Sequence, residues 1–237
     1  MNYTAILAGG EGSRLSANGF KPLAQIGDKS LLQISLSRLL PITDKSLIIL
    51  FNERGKDYNL HNLPELNNPQ INYFYAKPPT SLHSMFNIFQ KIPSDSGSNH
   101  LMVSMIDTIM LKDDFKKFTQ FCQTLKPYES AIVTTTFIDD EKPLTLKIDH
   151  KNLITKFQVP LETLNVQVTS GIYCFSYQAL KEIGSALDRG VQKMRNYLTW
   201  LVDNDYPIYA FSVNKTVDVD RPEDILEAQK FIKDEEI

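Results

Sequence analysis

Short apolar runs alternate with segments of helical periodicity through the first half of the chain. The runs are short and rich in β-branched and other apolar residues, which predicts buried strands. They cover residues 3–7, 45–51, 71–75 and 100–106. Between them, apolar side chains recur every three or four positions over residues 30–40 and 82–89, which predicts helices with one buried face. This alternation favours a parallel sheet with helical crossovers.

The pattern changes after a helix predicted for residues 115–125. Three strand patterns then follow closely, over residues 131–138, 144–148 and 153–159, with Asp149-His150-Lys151-Asn152 as a hairpin turn. The remaining predicted elements are strands at 168–175 and 207–213 and helices at 178–187, at 191–202 and from Pro222. We predict an α/β fold: a Rossmann-like three-layer α/β/α sandwich whose mostly parallel mixed sheet carries an antiparallel insert, formed by a single domain over residues 1–237.

Composition narrows the class of partner. Of the 237 residues, 42% are hydrophobic and 22% are charged, which is ordinary for a globular protein, and the formal net charge is −3. This charge does not attract nucleic acid or an anionic membrane, so a polyanionic ligand needs a local positive site. Two cysteines in apolar surroundings, Cys122 and Cys174, predict free buried thiols. With no basic leader and no apolar run of membrane-spanning length, we expect a cytoplasmic protein.

The first predicted strand runs into a glycine-rich segment, Leu7-Ala8-Gly9-Gly10-Glu11-Gly12-Ser13-Arg14-Leu15. Glycine has no Cβ, so backbone N–H groups in such a turn can approach an anion closely. Arg14 adds a planar charged group and Lys21 a compact mobile charge. The segment therefore predicts a phosphate-binding site.

The spacing of these residues excludes two better-known phosphate motifs. A dinucleotide-binding fingerprint requires a third glycine, and Gly10-Glu11-Gly12 is followed by Ser13-Arg14-Leu15 instead. A P-loop requires a lysine directly after a glycine, whereas Lys21 follows Phe20. A dinucleotide-dependent oxidoreductase and a P-loop enzyme are both disfavoured.

The glycine-rich segment, with Lys21-Pro22-Leu23 and the stretch Ile26-Gly27-Asp28-Lys29-Ser30-Leu31-Leu32, resembles the signature of nucleotidyltransferases with a glycosyltransferase-A-like fold. Sugar-phosphate nucleotidylyltransferases are the most similar branch. The step from Arg14 to Lys21 also resembles the cytidylyltransferase of the methylerythritol phosphate route. The resemblance implies that Arg14 and Lys21 are catalytic. It also implies that the nucleotide is bound by Leu7, Ala8, Gly9, Gly10, Gly12 and Ser13.

Two acidic segments are candidates for holding a metal ion. Asp107 ends the apolar run of residues 101–106, which places it at the carboxyl end of a strand, where open α/β sheets bind ligands. Asp218 and Asp220 alternate before Pro222 and so share one face of a strand. The resemblance implies Mg²⁺, or Mn²⁺, on Asp107 and Asp218, with Asp220 as the alternative to Asp218. A helix cap or turn is the other interpretation of Asp107.

Further site residues come mainly from the resemblance. The stretch Pro78-Pro79-Thr80-Ser81-Leu82-His83-Ser84 is similar to a segment that contacts the nucleoside, which implicates Ser81, although Ser81 also suits a helix N-cap. Thr169-Ser170-Gly171-Ile172-Tyr173 resembles a strand that lines the acceptor site, which implicates Gly171 and Tyr173. A glycine inside a strand also suits a bulge.

One departure from the family pattern concerns the acceptor. The family's E-K-P segment, whose lysine meets the acceptor phosphate, is replaced here by Gln158-Val159-Pro160. Lys156 or Lys215 are candidates for supplying the missing charge.

The sequence as a whole predicts transfer of a nucleoside monophosphate from a nucleoside triphosphate to a phosphorylated small-molecule acceptor, such as a sugar phosphate, with release of pyrophosphate and formation of a nucleotide sugar. Two alternatives stay open: a non-catalytic nucleotide or nucleotide-sugar binding module of the same fold, and a cytidylyltransferase acting on a phosphorylated polyol or alcohol. We expect neither nucleic acid nor membrane as a partner, and homo-oligomerisation is compatible with the sequence.

Overall fold

A nine-stranded mixed sheet runs through the protein in the computed structural model, which describes residues 1–10, 15, 19–94, 99–138 and 142–233. The strands are β1 Tyr3–Ala8, β2 Gln25–Ile26, β3 Lys29–Ser30, β4 Ser46–Asn52, β5 Ile71–Ala76, β6 His100–Met105, β7 Thr108–Ile109, β8 Ser130–Thr135, β9 Thr145–Ile148, β10 Ile154–Phe157, β11 Gln167–Ser176, β12 Ile208–Val213 and β13 Val217–Asp218.

Within the described residues, seven α-helices connect or follow these strands. They are α1 Leu31–Leu39, α2 Ser81–Phe89, α3 Lys112–Thr124, α4 Tyr177–Lys181, α5 Ile183–Asp188, α6 Met194–Asp203 and α7 Pro222–Lys233. Short 3₁₀ helices cover Lys21–Leu23, Leu40–Ile42, Glu53–Tyr58, Leu60–Asn62 and Pro64–Asn67. The helix predicted for residues 178–187 is two short helices, α4 and α5. No helix in the described part of the chain is both long enough and apolar enough to cross a membrane.

The strand order confirms the predicted topology. The main path of the sheet is β10-β9-β11-β6-β1-β4-β5, and β8 pairs with both β11 and β12. Strands β6, β1, β4 and β5 are mutually parallel, as are β8 and β12. Strand β11 runs antiparallel to β6, β8 and β9, and β9 and β10 form the predicted antiparallel hairpin. A mostly parallel sheet with an antiparallel insert is therefore present.

Side chains on both faces of the sheet are buried, which is why its strands are near-continuous apolar runs. In β1, Ile6 and Ala8 pack into the core on one face, and Ala5 and Leu7 into the core on the other. Residues of α1, α3 and α7 complete the first core, and residues of α2, α4, α5 and α6 complete the second. Both cysteines are buried free thiols, as predicted. The three-layer arrangement is confirmed.

Local sequence signals explain where α1 begins and ends. The Ser30 hydroxyl accepts from the Gln33 backbone N–H and the Gln33 side chain accepts from the Ser30 N–H, so both residues satisfy donors that the first turn leaves unpaired. Pro41 lacks the N–H needed to continue the helix, and the chain passes into the short 3₁₀ turn. Helix α1 packs against the sheet and directly follows β3.

Candidate functional site

Gly9 and Gly10, which we call the glycine turn, directly follow the carboxyl end of β1. Leu7 and Ala8 are buried in the core, so their side chains support the turn rather than face a ligand. A Cβ on Gly9 would lie 2.7 Å from Leu50 Cδ2, and the Gly9 carbonyl accepts a hydrogen bond of 3.0 Å from Asn52 Nδ2. Gly10 is exposed, with no atom within 4 Å of its Cβ position. Gly12, Ser13 and Arg14 lie outside the described residues.

Lys21 is a buried cation beside this turn, at the start of a 3₁₀ helix. Its side chain is only 7% exposed, and Nζ lies 2.7 Å from Asp107 Oδ2 and 2.5 Å from Asp220 Oδ1. Burial acts to lower the pKa of Lys21, but the charges and hydrogen bonds of Asp107 and Asp220 outweigh it and raise the pKa above its ordinary value. The ammonium group is therefore permanently charged at neutral pH.

A two-stranded ribbon brings the acidic residues to the same place. Asp107 follows β6 at the carboxyl edge of the sheet, next to β1. Strand β7 then pairs antiparallel with β13, so that Thr108 faces Asp218. The Val219 N–H donates to the Asp107 carbonyl at 3.0 Å. The carboxylates from the two acidic segments thus meet in one cluster with Lys21.

Asp218 and Asp220 have different partners in this cluster. Asp220 forms an ion pair with Lys21, whereas Asp218 Oδ1 accepts a 2.6 Å hydrogen bond from the Thr108 hydroxyl. Asp218 borders a cavity, yet desolvation by the surrounding protein and the negative charge of Asp107 raise the pKa of its carboxyl to about 7. The Thr108 hydrogen bond and the charge of Lys21 act to lower this pKa, and they do not cancel the upward shift.

The donor set suits a hard divalent cation that also binds phosphate. In the parts of the chain that the structure describes, no three His, Cys, Asp or Glu side chains form a group able to hold a metal by themselves. Mg²⁺ is typically held by one or two carboxylates together with substrate phosphates and water. Asp107 and Asp218 are oxygen donors of this kind, and the negative charge of Asp107 acts unfavourably on the carboxylate of Asp218.

A cavity of about 260 Å³ opens beside the acidic cluster. Three carboxylates line it: Asp107, Asp218 and Asp220. Its lining also includes Ser81, Gly171, Tyr173, Lys193 and Arg195. The cavity therefore brings together residues from five segments that are distant in the sequence, and its lining contains both carboxylates and two cationic side chains.

Ser81 and Tyr173 both line the cavity. Thr80 is the N-cap residue of α2, so the N-cap interpretation of Ser81 is wrong. Ser81 is the first helical residue, and its hydroxyl accepts a 2.9 Å hydrogen bond from the Met194 N–H, which joins the beginnings of α2 and α6. Tyr173 is only 7% exposed, and burial raises the pKa of its phenol.

Gly171 is required by the protein's own packing. A Cβ there would lie 2.1 Å from Thr108 Oγ1 and 2.8 Å from Met105 Cβ, far inside contact distance. The pairing of β11 with β8 also shifts register between Thr169 and Tyr173, an irregularity of the kind that a glycine within a strand suggests. Any side chain at position 171 would displace Thr108.

Sequence reasoning missed the two cations of the cavity. Lys193 and Arg195 flank the first residue of α6, and the Arg195 guanidinium donates to the Lys142 carbonyl at 3.1 Å. Lys215 instead pairs with Glu227 and lies over the Phe137 ring, and neither Lys215 nor Lys156 lines the cavity. A basic pair at the start of a helix, where acidic residues are favoured, was the available signal.

Comparison with known proteins agrees with the sequence signature. A family model described as Nucleotidyl transferase matches residues 3–235. The chain is 25% identical over 228 residues to the bifunctional protein GlmU of Trichodesmium erythraeum, an alignment that covers 90% of this chain and 48% of that protein. The chain thus spans about half the length of the curated relatives it matches.

Solved structures share the fold at low sequence identity. The inositol-1-phosphate CTP transferase from T. maritima superposes with a TM-score of 0.77 at 16% identity, covering 98% of this chain and 96% of that one. A putative glucose-1-phosphate thymidylyltransferase from Bacillus anthracis gives a TM-score of 0.78 at 16% identity, covering 98% and 95%. At such identities the superpositions establish the fold.

Proposed function

The chain belongs to the nucleotidyl transferase family, and on this premise we propose that it transfers a nucleoside monophosphate from a nucleoside triphosphate to a phosphorylated small-molecule acceptor, releasing pyrophosphate. A sugar phosphate or polyol phosphate is the acceptor class that fits best. The observation that carries the proposal is that two clusters of charged residues meet at one cavity. The first is Lys21 with Asp107 and Asp220, and the second is Lys193 with Arg195.

These two clusters match the two anionic substrates of such a reaction. The open backbone at Gly10 and the ammonium group of Lys21 suit the phosphates of the triphosphate. Lys193 and Arg195 suit a second phosphate, because a guanidinium group can bind two phosphate oxygens at once. Arg195 then supplies the positive charge that Gln158-Val159-Pro160 lacks.

The transfer itself needs positioning and charge neutralisation more than proton transfer. An oxygen of the acceptor phosphate attacks the α-phosphorus, the new O–P bond forms as the bond to the bridging α,β-oxygen breaks, and pyrophosphate leaves with that electron pair. A phosphate monoester has a second pKa near 6, so its attacking oxygen is already ionised at neutral pH. Lys21 offsets charge that develops around the α-phosphate.

A divalent metal ion is part of the proposal, since members of this family generally depend on one. Mg²⁺ or Mn²⁺, held by Asp107 and Asp218, would neutralise phosphate charge and align the triphosphate when bound. Asp220, paired with Lys21, keeps the ammonium group at the edge of the cluster. We assign different roles to the two aspartates because Asp218 is bonded to Thr108 whereas Asp220 is paired with Lys21.

The named activities of similar proteins support the acceptor class and leave the base open. The T. maritima protein is an inositol-1-phosphate CTP transferase, and the B. anthracis protein is a putative glucose-1-phosphate thymidylyltransferase. Both acceptors in these names are phosphate esters, whereas the nucleotides differ. A screen therefore has to vary the base and the acceptor together.

The decisive experiment measures pyrophosphate release from each of the common nucleoside triphosphates with a panel of sugar and polyol phosphates and Mg²⁺. We expect release with one pair and a product whose mass equals that of the acceptor phosphate plus that of the nucleoside monophosphate, less one water. Chelation of the metal by EDTA should stop the reaction. Tight binding of a triphosphate without release for any pair would instead favour the non-catalytic binding module.

Arg195→Met tests the assignment of the acceptor subsite. We expect KM for the acceptor to rise by about 10-fold or more, with little change in KM for the triphosphate, because a charged hydrogen-bonding group is lost from one subsite only. Lys156→Met is the matched control, since Lys156 is exposed on β10 outside the cavity. Equal changes in both KM values, or an effect of the control, would contradict the assignment.

A further inference from the structure

We propose that Thr108 is a positioning residue that holds the carboxylate of Asp218 for the cation, and that Gly171 exists to make room for its hydroxyl group. The inference rests on the proposed function for the identity of the bound cation. It assigns roles near the metal position to two residues on different strands, Thr108 on β7 and Gly171 on β11.

The contact between Thr108 and Asp218 is short, and its donor is buried. Thr108 is only 6% exposed, and its Oγ1 donates to Asp218 Oδ1 at 2.6 Å. A hydroxyl that donates to a carboxylate forms a charge-assisted hydrogen bond, which is stronger and more directional than one between neutral groups. The bond therefore restricts rotation of the Asp218 side chain.

This restraint matters because the backbone support for Asp218 is slight. The β7–β13 ribbon has only two residue pairs, Val217 with Ile109 and Asp218 with Thr108. Two short strands are marginal by themselves. In addition, the charge of Asp107 acts on Asp218 and favours separation of the two carboxylates. The Thr108 hydroxyl opposes that separation, since Thr108 directly follows Asp107 in the chain.

Gly171 provides the space in which the Thr108 side chain lies. The Cβ position of residue 171 is 2.1 Å from Thr108 Oγ1, so the hydroxyl rests against bare backbone of β11. The adjacent register shift in β11 gives this segment its irregular course. The long strand β11 thereby acts as the support on which the hydroxyl and the Asp218 carboxylate are aligned.

The test compares Thr108→Val with Thr108→Ser. Valine keeps the shape of threonine without the donor, and serine keeps the donor. Mn²⁺ affinity is measured by electron paramagnetic resonance with inorganic triphosphate present, which avoids any choice of base. We expect Thr108→Val to weaken Mn²⁺ binding by about 10-fold and to lower kcat by about 10- to 100-fold, with KM for the acceptor unchanged. Thr108→Ser should stay within about 3-fold of the wild type.

Thr119→Val is the matched control. Thr119 is 7% exposed, and its hydroxyl donates to the Phe115 carbonyl within α3, away from the site. Each valine variant loses one hydrogen bond that a buried threonine donates, so we expect similar losses of melting temperature. Only Thr108→Val should lose metal affinity. If valine at position 108 prevents folding, Thr108→Ala and Thr108→Ser provide the same comparison.

Three results would overturn the proposal. They are wild-type affinity for Mn²⁺ in Thr108→Val, failure of Thr108→Ser to restore affinity, and absence of Mn²⁺ binding to the wild-type protein. Failure of the proposed function looks different. A protein that releases no pyrophosphate with any substrate pair, but loses Mn²⁺ affinity in Thr108→Val alone, would keep the positioning role and lose the transfer reaction.

Discussion

Lys21→Met is expected to lower kcat for pyrophosphate release by about 10²- to 10³-fold, the cost of removing a preorganised charge that stabilises the transition state. Methionine fills a similar space without the charge, so loss of packing contributes little. Lys21 Nζ is buried at the carboxyl edge of the sheet and contacts carboxylates of both acidic segments. Steady-state kinetics with the best substrate pair from the screen give the value.

A second readout separates the role of Lys21 from a general loss of structure. The ammonium group neutralises Asp107, so its removal should strengthen Mn²⁺ binding in the absence of any phosphate. Lys230→Met, an exposed change on α7, serves as the control for both measurements. Unchanged kcat in Lys21→Met, or weaker Mn²⁺ binding, would show that Lys21 has a different role.

Asp107→Asn is expected to lower kcat by about 10²- to 10³-fold as well, but by removing a metal ligand. Here Mn²⁺ binding should weaken, opposite in direction to Lys21→Met. The effect on the free energy of unfolding should be much smaller than the effect on kcat. Asp220 continues to pair with Lys21, and the repulsion between Asp107 and Asp218 disappears.

Titration with Mn²⁺ and chemical denaturation together check this expectation. Asp113→Asn is the control, because Asp113 is exposed in the first turn of α3 and lies outside the cavity. Full metal affinity in Asp107→Asn would mean that the cation binds elsewhere. A loss of folding as large as the loss of activity would assign Asp107 to the stability of the ribbon.

The sheet was predictable because its signals are local. An apolar run such as residues 101–106 identifies a buried strand by itself, and the polar residue that follows it marks the carboxyl edge. The amino-acid sequence alone therefore suffices to place Asp107 at that edge. The hairpin over residues 149–152 was predictable for the same reason: the Asp149 side chain accepts from the Lys151 and Leu153 N–H groups within the turn.

The contacts within the site were not predictable, because they join residues that are far apart in the sequence. Nothing in the alternation of Asp218 and Asp220 indicates that one faces Thr108 and the other Lys21. The glycine at position 171 signalled a close approach, but its residue type could not show that the approaching group is a threonine hydroxyl. Lys193 and Arg195 enter the cavity only because α6 begins beside α2.

The Lys21–Asp220 contact spans 199 residues of chain and the Thr108–Asp218 contact spans 110, which has a consequence for biosynthesis. Ordering so long a loop costs entropy that local contacts do not repay, so these contacts form late in folding. A nascent chain still short of residue 220 can pair β1 with β4 and β4 with β5, yet it has no complete acidic cluster. The acidic cluster is therefore completed only after residue 220 has been synthesised. Proteolysis between β12 and β13 would likewise cut the chain that connects Asp218 and Asp220 to the large sheet.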